Sequence, residues 1–556
     1  MKKTAIAIHA GLIAMAAVPA FAWVGTADLG SDSGGPLTPT NQTGIRTLDP
    51  DTLYTLKGLY YVESGAEIHI PAGTTIYGTP AATLVIKTGG KIYATGEQYN
   101  PIVMTSSFAP GNRFPGDWGG VVILGLARVN KTDPQIEGGI IDATYGGNDD
   151  NDSSGVFKYV RIEFPGYRFA LNNEINGLTM GGVGAGTELH HIQVSYSFDD
   201  SYEWFGGSVD AHHLVALGGT DDEFDTDFGY RGRMQFLFGL RDPDFSDPQG
   251  SSNGFESDND SGGTFDMPLT MPIISNATLV GPEYVVGVGN LPPGATFSNS
   301  GVLRKNSRIS IFNTAIAGYP RGMTVREGSI PAADSDTLRF YDNEVTGHDE
   351  YSAGNIHDTG RWADIGTWFA GNSNNAVGPR SHTAIGLGDM SVLTAPNPIP
   401  QAGSPLIGTA QWTNSYLTDT AAYFDEVDYK GAFDPALPWN QQWTFYWTNF
   451  DPQNTDYAVS AVEDSPELPA FGRLAENYPN PFNPSTTIRF SVPKAGPVTL
   501  EVFDVRGRKV ADLHKGDLDV GSYDVNFNGN GLSSGTYFYR LSGDGFVYTE
   551  KMQLVK

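Results

Sequence analysis

The sequence predicts an all-β protein, a right-handed parallel β-helix followed by a small Ig-like β-sandwich. Glycine accounts for 69 of the 556 residues and aromatic residues for 12%, whereas charged residues account for only 17%. Short strand patterns separated by glycine turns recur along the chain, and paired polar motifs recur at a fixed spacing. Because one short unit cannot bury its apolar face alone, such repeats predict a stacked solenoid.

The N-terminus has the pattern of an export signal. Lys2 and Lys3 precede an apolar run from residue 5 to 18, and Ala20-Phe21-Ala22 is a small-x-small cleavage site. Residues 1–22 are therefore predicted to be a signal peptide, and 23–45 an N-terminal segment. The chain has no cysteine, so its core must hold it together without disulfides.

The first repeat lies near the start of the body. Residues 66–77 (AEIHIPAGTTIY) match residues 82–93 (ATLVIKTGGKIY) sixteen positions later. Each unit contains a short strand with apolar residues at every second position, a glycine turn and another short strand. Stacked units of this kind predict a parallel β-helix over residues 46–410.

A second repeat has a longer spacing. Residues 190–205 begin with a histidine pair and contain an aspartate pair, and both pairs recur 22 positions later in residues 212–228. If one coil has this length, equivalent residues stack ~4.8 Å apart. A propeller is the alternative, but a blade period of ~40–45 residues is not seen.

Residues 411–456 are rich in aromatic residues and lack the repeat. Trp439, Trp443, Trp447 and Phe450 are predicted to cap the open end of the helix, whose last coil would otherwise expose core and strand edge. A surface for stacking sugars is the alternative.

Acidic side chains of the second repeat form the main candidate site. Stacked carboxylates repel one another, and a hard cation such as Ca²⁺ relieves that repulsion. The predicted metal ligands are Asp199, Asp200, Glu203, Asp221, Asp222, Asp225 and Asp227. Candidate ligand-binding residues nearby in the sequence are Trp204, Tyr230, Arg231 and Arg233. Two alternatives remain open: Arg231 and Arg233 act as counter-charges, or the carboxylates are catalytic.

Three other polar motifs have weaker interpretations. The acidic clusters at 148–152 and 256–260 lack EF-hand spacing and are either loop cation sites or polar turns. In the histidine pairs His190-His191 and His212-His213, neighbouring side chains of a strand should point to opposite faces. The histidines are therefore predicted to be structural and not metal ligands.

Charge and motifs exclude several function classes. The net charge of −29 argues against binding to nucleic acid or to an anionic membrane surface. No apolar segment is long enough to suggest an integral membrane protein. The sequence contains no G-x-S-x-G elbow, P-loop or dinucleotide fingerprint.

The C-terminal part carries a resemblance to a known family. After an acidic, proline-bearing linker at 457–473, residues 474–556 contain the runs NYPNPFNPSTTIRFSVP, FDVRGRKVADL, GLSSGTYFYRL and KMQLVK. In order and spacing these runs resemble the C-terminal sorting domain of type IX secretion substrates. The resemblance implies a β-sandwich recognised by the type IX machinery, passage across the outer membrane, and release or attachment to cell-surface lipopolysaccharide.

The body has a second resemblance. DWGGVVILG, IEGG, NNEINGLTMGGVG and DDSYEWFGG are similar to segments of exported bacterial β-helix proteins for which no activity is established. The expected function is a non-catalytic adhesive or glycan-binding scaffold. The alternative is a Ca²⁺-dependent polysaccharide lyase or glycoside hydrolase, so whether the protein is an enzyme stays open.

Overall fold

The computed structural model describes most of the chain. The described residues are 25–32, 38–170, 173–248, 250–346, 375–377, 382–418, 423–457, 473–474, 477, 480–492, 496–518, 521–543 and 546–556. The predicted signal peptide and most of the predicted linker lie outside them.

Short strands that pair in parallel build the body, and a small antiparallel hairpin, β13–β14, interrupts them. The strands are β1 (Gly25–Gly30), β2 (Pro39–Gln42), β3 (Ile45–Thr47), β4 (Thr52–Lys57), β5 (Leu59–Val62), β6 (Glu67–Pro71), β7 (Thr75–Gly78), β8 (Thr83–Ile86), β9 (Lys91–Thr95), β10 (Ile102–Ser106), β11 (Gly120–Leu124), β12 (Gly155–Glu163), β13 (Arg168–Ala170), β14 (Asn173–Glu174), β15 (Leu178–Val183), β16 (Glu188–Ser195), β17 (Tyr202–Gly207), β18 (Ala211–Leu217), β19 (Phe224–Asp227), β20 (Arg233–Leu240), β21 (Phe255–Ser257), β22 (Ile273–Val280), β23 (Asn299–Leu303), β24 (Ser310–Phe312), β25 (Ala315–Ala317), β26 (Arg321–Val325), β27 (Arg339–Tyr341), β28 (Glu344–Thr346) and β29 (Ala376–Val377).

The helices of the described residues are few and short. They are the α-helices Pro282–Val286, Ser329–Asp334 and Ser415–Thr418 and the 3₁₀ helices His382–Ile385 and Trp439–Gln441. Within the described residues, no helix combines the length and the apolar character needed to cross a bilayer.

Two parallel sheets wrap one apolar core. A ten-stranded sheet runs from β2 through β5, β8, β11, β15, β17, β19, β21 and β23 to β26, and a seventeen-stranded sheet forms the rest of the wall. From β16 onward each coil contributes one long strand or strand pair to the larger sheet and then one strand to the smaller. Inward residues of successive strands stack, as Leu178, Tyr202, Phe224 and Phe255 do. The predicted parallel β-helix is confirmed.

The two sequence repeats differ in what they reveal. The spacing of 22 residues is the length of one coil, because β16 pairs with β18 and His190 lies opposite His212. The sixteen-residue repeat is not a coil: β6 pairs with β9, placing Ile68 opposite Ile92, while β8 belongs to the other sheet. The sheets also begin earlier than the predicted residue 46, because β1 and β2 pair with β4 and β5.

A column of left-handed residues bends the long strands at one level. Tyr159, His191, His213, Phe236 and Asn276 have φ between 50° and 59°. At each bend the alternation of side chains is interrupted, so two consecutive residues face outward. Left-handed backbone is costly for residues other than glycine and less so for asparagine.

Residues 411–418 and 423–457, here called the side strap, follow the side of the helix and do not cover its end. Side-chain amides of three coils each make a pair of hydrogen bonds with one strap residue. Asn313 pairs with Gln411 (3.0 and 2.8 Å), Gln235 with Asp425 (both 2.8 Å) and Gln193 with Asn449 (2.7 and 2.8 Å). The strap therefore runs back from late coils to early ones.

The predicted end cap is thus wrong in its position. Trp447 is fully buried, and its ring lies 6.0 Å from that of Tyr159 and 5.7 Å from that of His191, on the side of the helix. Trp443 lies 5.0 Å from the ring of His213. The buried Trp447 ring offers no face on which a sugar could stack.

The C-terminal domain is a small antiparallel β-sandwich, as predicted. One sheet contains β30 (Arg473–Leu474), β31 (Ser485–Val492) and β34 (Gly521–Asn528), and the other contains β32 (Gly496–Asp504), β33 (Lys509–Leu518), β35 (Gly535–Gly543) and β36 (Phe546–Leu554). Alternate residues such as Val498, Leu500, Tyr539 and Leu541 are buried in a shared core.

Replacing Gln193 should loosen the side strap. Gln193→Ala leaves the backbone N–H and C=O of Asn449 without partners in a buried setting, which we expect to lower the free energy of unfolding by about 1–3 kcal/mol. Gln98→Ala is the control, because Gln98 makes a single bond of 3.2 Å to Phe445. Denaturant unfolding and proteolysis of the strap measure the effect; equal behaviour of the two variants would contradict it.

Candidate metal centre

The outer surface of the ten-stranded sheet carries a row of carboxylates. Glu203, Asp225 and Glu256 occupy equivalent positions on β17, β19 and β21. Their neighbours in each strand, such as Tyr202 and Trp204, point into the core, so the alternation of a strand directs the acids outward. In-register pairing then stacks like charges at the strand spacing.

The turns that lead into these strands add four more acids. The backbone N–H of Asp222 donates to Asp200 Oδ1 (2.8 Å), and that of Asn253 donates to Asp222 Oδ1 (2.6 Å). The N–H of Asn299 continues this ladder to Asn253 Oδ1 (3.1 Å). One oxygen of Asp200 and one of Asp222 therefore hold adjacent coils together.

Five of the seven predicted ligands form two triads. Ligand atoms of Asp199, Asp200 and Asp221 lie within 4.8 Å of one another, and so do those of Asp200, Glu203 and Asp225. The triads share Asp200 and are together called the acidic face. Asp199, Asp221 and Asp225 keep part of their surface exposed, whereas Asp200 and Glu203 are buried.

The remaining two predicted ligands have other surroundings. Asp222 belongs to the backbone ladder just described. Asp227 accepts the N–H of Phe228 (2.6 Å), and burial together with the nearby charge of Asp258 raises its pKa to about 7.

Burial and mutual repulsion disfavour charge on the acidic face. Burial raises the pKa of Asp199 well above its usual range, and the charge of Asp221 adds to the effect. Burial raises the pKa of Glu203 likewise, with Glu137 as the next contributor. Oδ1 of Asp225 is buried and accepts no hydrogen bond among the described residues.

The arginines that follow the ladder do not neutralise it. Arg231 bonds to Asp150 (2.9 Å), and Arg233 bonds to Asp210 through Nε (3.0 Å). Among the described residues, no lysine or arginine forms a salt bridge with any of the five triad acids. The predicted counter-charge role of Arg231 and Arg233 is therefore wrong.

Two further candidates are also wrong. Trp204 and Tyr230 are fully buried inside the coils, where their rings stack 5.4 Å apart. Tyr230 donates its hydroxyl to the carbonyl of Val209 (2.8 Å). Both are core residues with no surface for a ligand.

Sequence reasoning missed Glu137 and Asn176 in this region, and it assigned Glu256 only to the separate acidic cluster at 256–260. Glu137 comes from the long connection after β11, and Asn176 Nδ2 donates both to Glu137 Oε1 (3.2 Å) and to Glu203. Glu256 stacks on Asp225 from a coil of different length, so the 22-residue spacing does not reveal it. The runs IEGG and NNEING contain the first two and were the available signal.

The two secondary acidic clusters have protein partners. Arg128 and Arg231 both bond to Asp150, and the N–H of Leu126 donates to Asp152 (3.0 Å). In the second cluster Arg304 and Lys305 bond to Asp258 (3.0 and 2.7 Å). These contacts favour the polar-turn interpretation.

Contrary to the expectation from the sequence, the two histidines of each pair do not point to opposite faces of the strand. His190 lies between the inward residues Leu189 and Ile192, and the left-handed backbone of His191 turns its ring outward too. The Nδ1 atoms of His190 and His191 are 2.7 Å apart. Neighbouring histidines therefore do share one face.

Removing one carboxylate from the acidic face should stabilise the cation-free protein. A carboxyl group whose pKa is higher in the folded protein than in the unfolded chain contributes most to the free energy of unfolding below its unfolded-state pKa, ~3.9 for aspartate. That contribution is lost as the pH rises through the folded-state pKa. For Asp227 the folded-state pKa is raised to about 7, so its contribution is lost by about pH 7. In excess chelator, we expect Asp225→Asn to be more stable than wild type at pH 7 by about 1 kcal/mol or more, since one pKa unit corresponds to ~1.4 kcal/mol.

The same variant should depend less on pH between 4 and 7 than wild type does. Asp428→Asn is the matched control, because Asp428 is exposed and lies outside the acidic face. Chemical unfolding at several pH values measures both variants. A wild-type stability that rises across this window relative to Asp225→Asn would contradict the charge argument.

Comparison with known families supports both parts of the chain. Residues 40–379 match the model of the pectate-lyase-like β-helix domain, and residues 476–555 match the secretion system C-terminal sorting domain. No curated protein matches the chain. The sorting domain indicates secretion across the outer membrane by the type IX route, to the cell surface or the medium. The chain belongs to the pectate-lyase-like β-helix domain family and carries a type IX sorting domain at its C-terminus.

Proposed function

We propose that this exported protein is a non-catalytic scaffold that binds Ca²⁺ at the acidic face and holds glycans there. The observation that carries the proposal is the pair of carboxylate triads sharing Asp200. A cluster of oxygen ligands without nitrogen or sulfur suits a hard cation, and Ca²⁺ accepts six to eight oxygens in irregular geometry.

A bound cation would relieve the repulsion that the fold creates. Within the described part of the chain these five acids form no salt bridge with a lysine or arginine, and burial strengthens the interaction between their charges. Protonation is the other means of relief, and it becomes unfavourable as the pH rises. At neutral pH, a bound cation therefore predicts that chelator lowers the stability, whereas protonation predicts that chelator has no effect.

The partial exposure of three of the carboxylates would let a glycan reach a cation bound there. Asp199, Asp221 and Asp225 each reach the surface, so a cation bound between them would keep coordination positions open to solvent. Sugar hydroxyl and carboxylate groups are oxygen ligands of the same kind. The net charge of −29 repels acidic glycans unless such a cation bridges them.

A Ca²⁺-dependent lyase or glycoside hydrolase is the second candidate. Its support is Glu203, whose raised pKa is typical of a general acid. The lyase version lacks its expected base, since Arg231 and Arg233 are engaged by Asp150 and Asp210. The non-catalytic scaffold is therefore the better supported of the two.

Calcium should stabilise the protein through the acidic face. At a Ca²⁺ concentration of 100 times the Kd, linkage predicts ~2.7 kcal/mol of added stability over excess chelator. The double variant Asp199→Asn with Asp221→Asn should lose most of the resulting shift in Tm. Glu426→Gln with Asp428→Asn makes the same charge change at exposed positions and should keep it.

Thermal unfolding at pH 7.5 provides the measurement. A wild-type transition that chelator leaves unmoved would show that the acidic face needs no cation. A shift that persists in the double variant would place the cation elsewhere and remove the observation on which the proposal rests.

Glycan binding and catalysis separate in one further experiment. The mature protein is applied to a glycan array with Ca²⁺ and with chelator, and the bound glycans are then incubated with it in a reducing-end assay. We expect Ca²⁺-dependent binding without new reducing ends. Release of reducing ends that Glu203→Gln abolishes would favour the hydrolase instead.

The sorting domain should be needed for export but not for folding of the body. A chain ending at Asp464 retains all described strands of the helix and the side strap. We expect this truncated protein to unfold cooperatively and to accumulate in the periplasm of the native host. Normal amounts in the medium or on the cell surface would contradict the assignment, and fractionation with immunoblotting decides.

A further inference from the structure

We propose that the four histidines on the side of the helix, here called the histidine cluster, bind one divalent transition-metal ion such as Cu²⁺, Ni²⁺ or Zn²⁺. The cluster consists of His190 and His191 on β16 and of His212 and His213 on β18. It lies on the seventeen-stranded sheet, whereas the acidic face lies on the ten-stranded sheet and its turns. The inference does not depend on the proposed calcium site.

The backbone creates the cluster. Leu189 and Ile192 both point into the core, and the two residues between them point outward because His191 has a φ of 54°. One coil later His213 has a φ of 59°. In-register pairing of β16 with β18 then places His190 opposite His212.

Three of the four rings, those of His190, His191 and His212, converge closely enough to share an ion, and the ring of His213 stacks on that of His191. The Nδ1 atoms of His212 and His213 are 2.6 Å apart, matching the 2.7 Å of the other pair. Ring centroids of His190 and His212 are 4.7 Å apart, and those of His191 and His213 are 4.4 Å apart. Ligand nitrogens of His190, His191 and His212 all lie within 4.8 Å of one another.

Such spacings require only side-chain rotation to close on a metal. Imidazole binds Zn²⁺ at ~2.0–2.1 Å, and three protein nitrogens with one open position form a common type of site. Imidazole also suits Cu²⁺ and Ni²⁺, and a set of four nitrogens fits their tetragonal geometry. His213, whose Nδ1 lies 2.6 Å from that of His212, is the nearest further imidazole.

A neighbouring carboxylate holds one of the rings in place. His190 Nε2 lies 3.0 Å from Glu188 Oε1. When the ring is neutral its Nε2–H donates a hydrogen bond to this carboxylate, which leaves Nδ1 unprotonated, as a metal ligand must be, and fixes the ring orientation.

The surroundings favour a transition metal over calcium. Trp443 and Trp447 of the side strap cover His191 and His213, and Tyr159 and Phe236 stack beyond them at 4.4 and 4.8 Å. The carboxylate of Glu188 contacts His190 of the cluster, and the same carboxylate forms a salt bridge with Lys158 (2.8 Å). Nitrogen ligands in an apolar setting are poor partners for a hard cation.

A matched variant removes imidazoles without disturbing the backbone. Asn276 and Asn313 occupy the same left-handed column on later coils, with φ of 56° and 47°. The double variant His191→Asn with His213→Asn therefore keeps a residue that the chain itself uses there. His69→Asn is the control, since His69 lies on β6 and contacts Glu67.

The test titrates the untagged mature protein with Cu²⁺ and records its electron paramagnetic resonance spectrum. We expect one bound Cu²⁺ ion whose spectrum shows couplings from three or four nitrogens. Ca²⁺ should not displace this ion. The double histidine variant should bind at least about 100-fold more weakly, and Glu188→Gln about 10–100-fold more weakly. His69→Asn and Asp199→Asn with Asp221→Asn should bind as wild type does.

Three results would overturn the proposal. A spectrum without nitrogen couplings would mean that the histidines form only a hydrogen-bonded stack. Unchanged affinity in a correctly folded double histidine variant, checked by circular dichroism and thermal unfolding, would place the ion elsewhere. Loss of binding in the acidic-face variant alone would assign the ion to the carboxylates.

Discussion

In-register parallel stacking of coils is the constraint on which the rest of this molecule depends. Each strand finds its hydrogen-bond partners one coil away, so equivalent residues of successive coils are held ~4.8 Å apart. Inside the helix this spacing aligns apolar side chains into continuous stacks, as at Tyr202, Phe224 and Phe255. Outside, it brings together whatever the sequence repeats at a coil's spacing, whether or not those groups attract one another.

The acidic face is the costly consequence of that constraint. Asp199-Asp200 and Asp221-Asp222 recur one coil apart, so backbone pairing forces their charges together. Asp200 also accepts a backbone N–H from the next coil, which makes one carboxylate both a structural acceptor and a member of two triads. This repulsion is relieved either by protonation or, as we propose, by a bound cation, and neither changes the backbone.

The same stacking also acts on the outer surface of the seventeen-stranded sheet, where it aligns the column of residues with left-handed backbone. One bend per coil turns two adjacent residues outward, and these positions hold histidine pairs in two coils and Gln235, Asn276 or Asn313 in later ones. The buried side-chain amides of Gln235 and Asn313 bind the backbone of the side strap, as does that of Gln193 near the histidine pair, while Trp443 and Trp447 of the strap close over the histidines. A single backbone device thus positions both the strap and the histidine cluster.

From the sequence alone followed the parallel β-helix, the C-terminal sandwich, the 22-residue coil and five of the acids that meet, because these depend on local periodicity and on a fixed strand spacing. Tertiary structure alone decided the partners of Arg231 and Arg233, the burial of Trp204 and Tyr230, and the addition of Glu137 and Glu256. Coils of unequal length hide such neighbours from any constant spacing. The left-handed backbone at His191 and His213 likewise reversed the expected direction of a side chain, since a bend set by packing between coils leaves no mark in an alternating pattern.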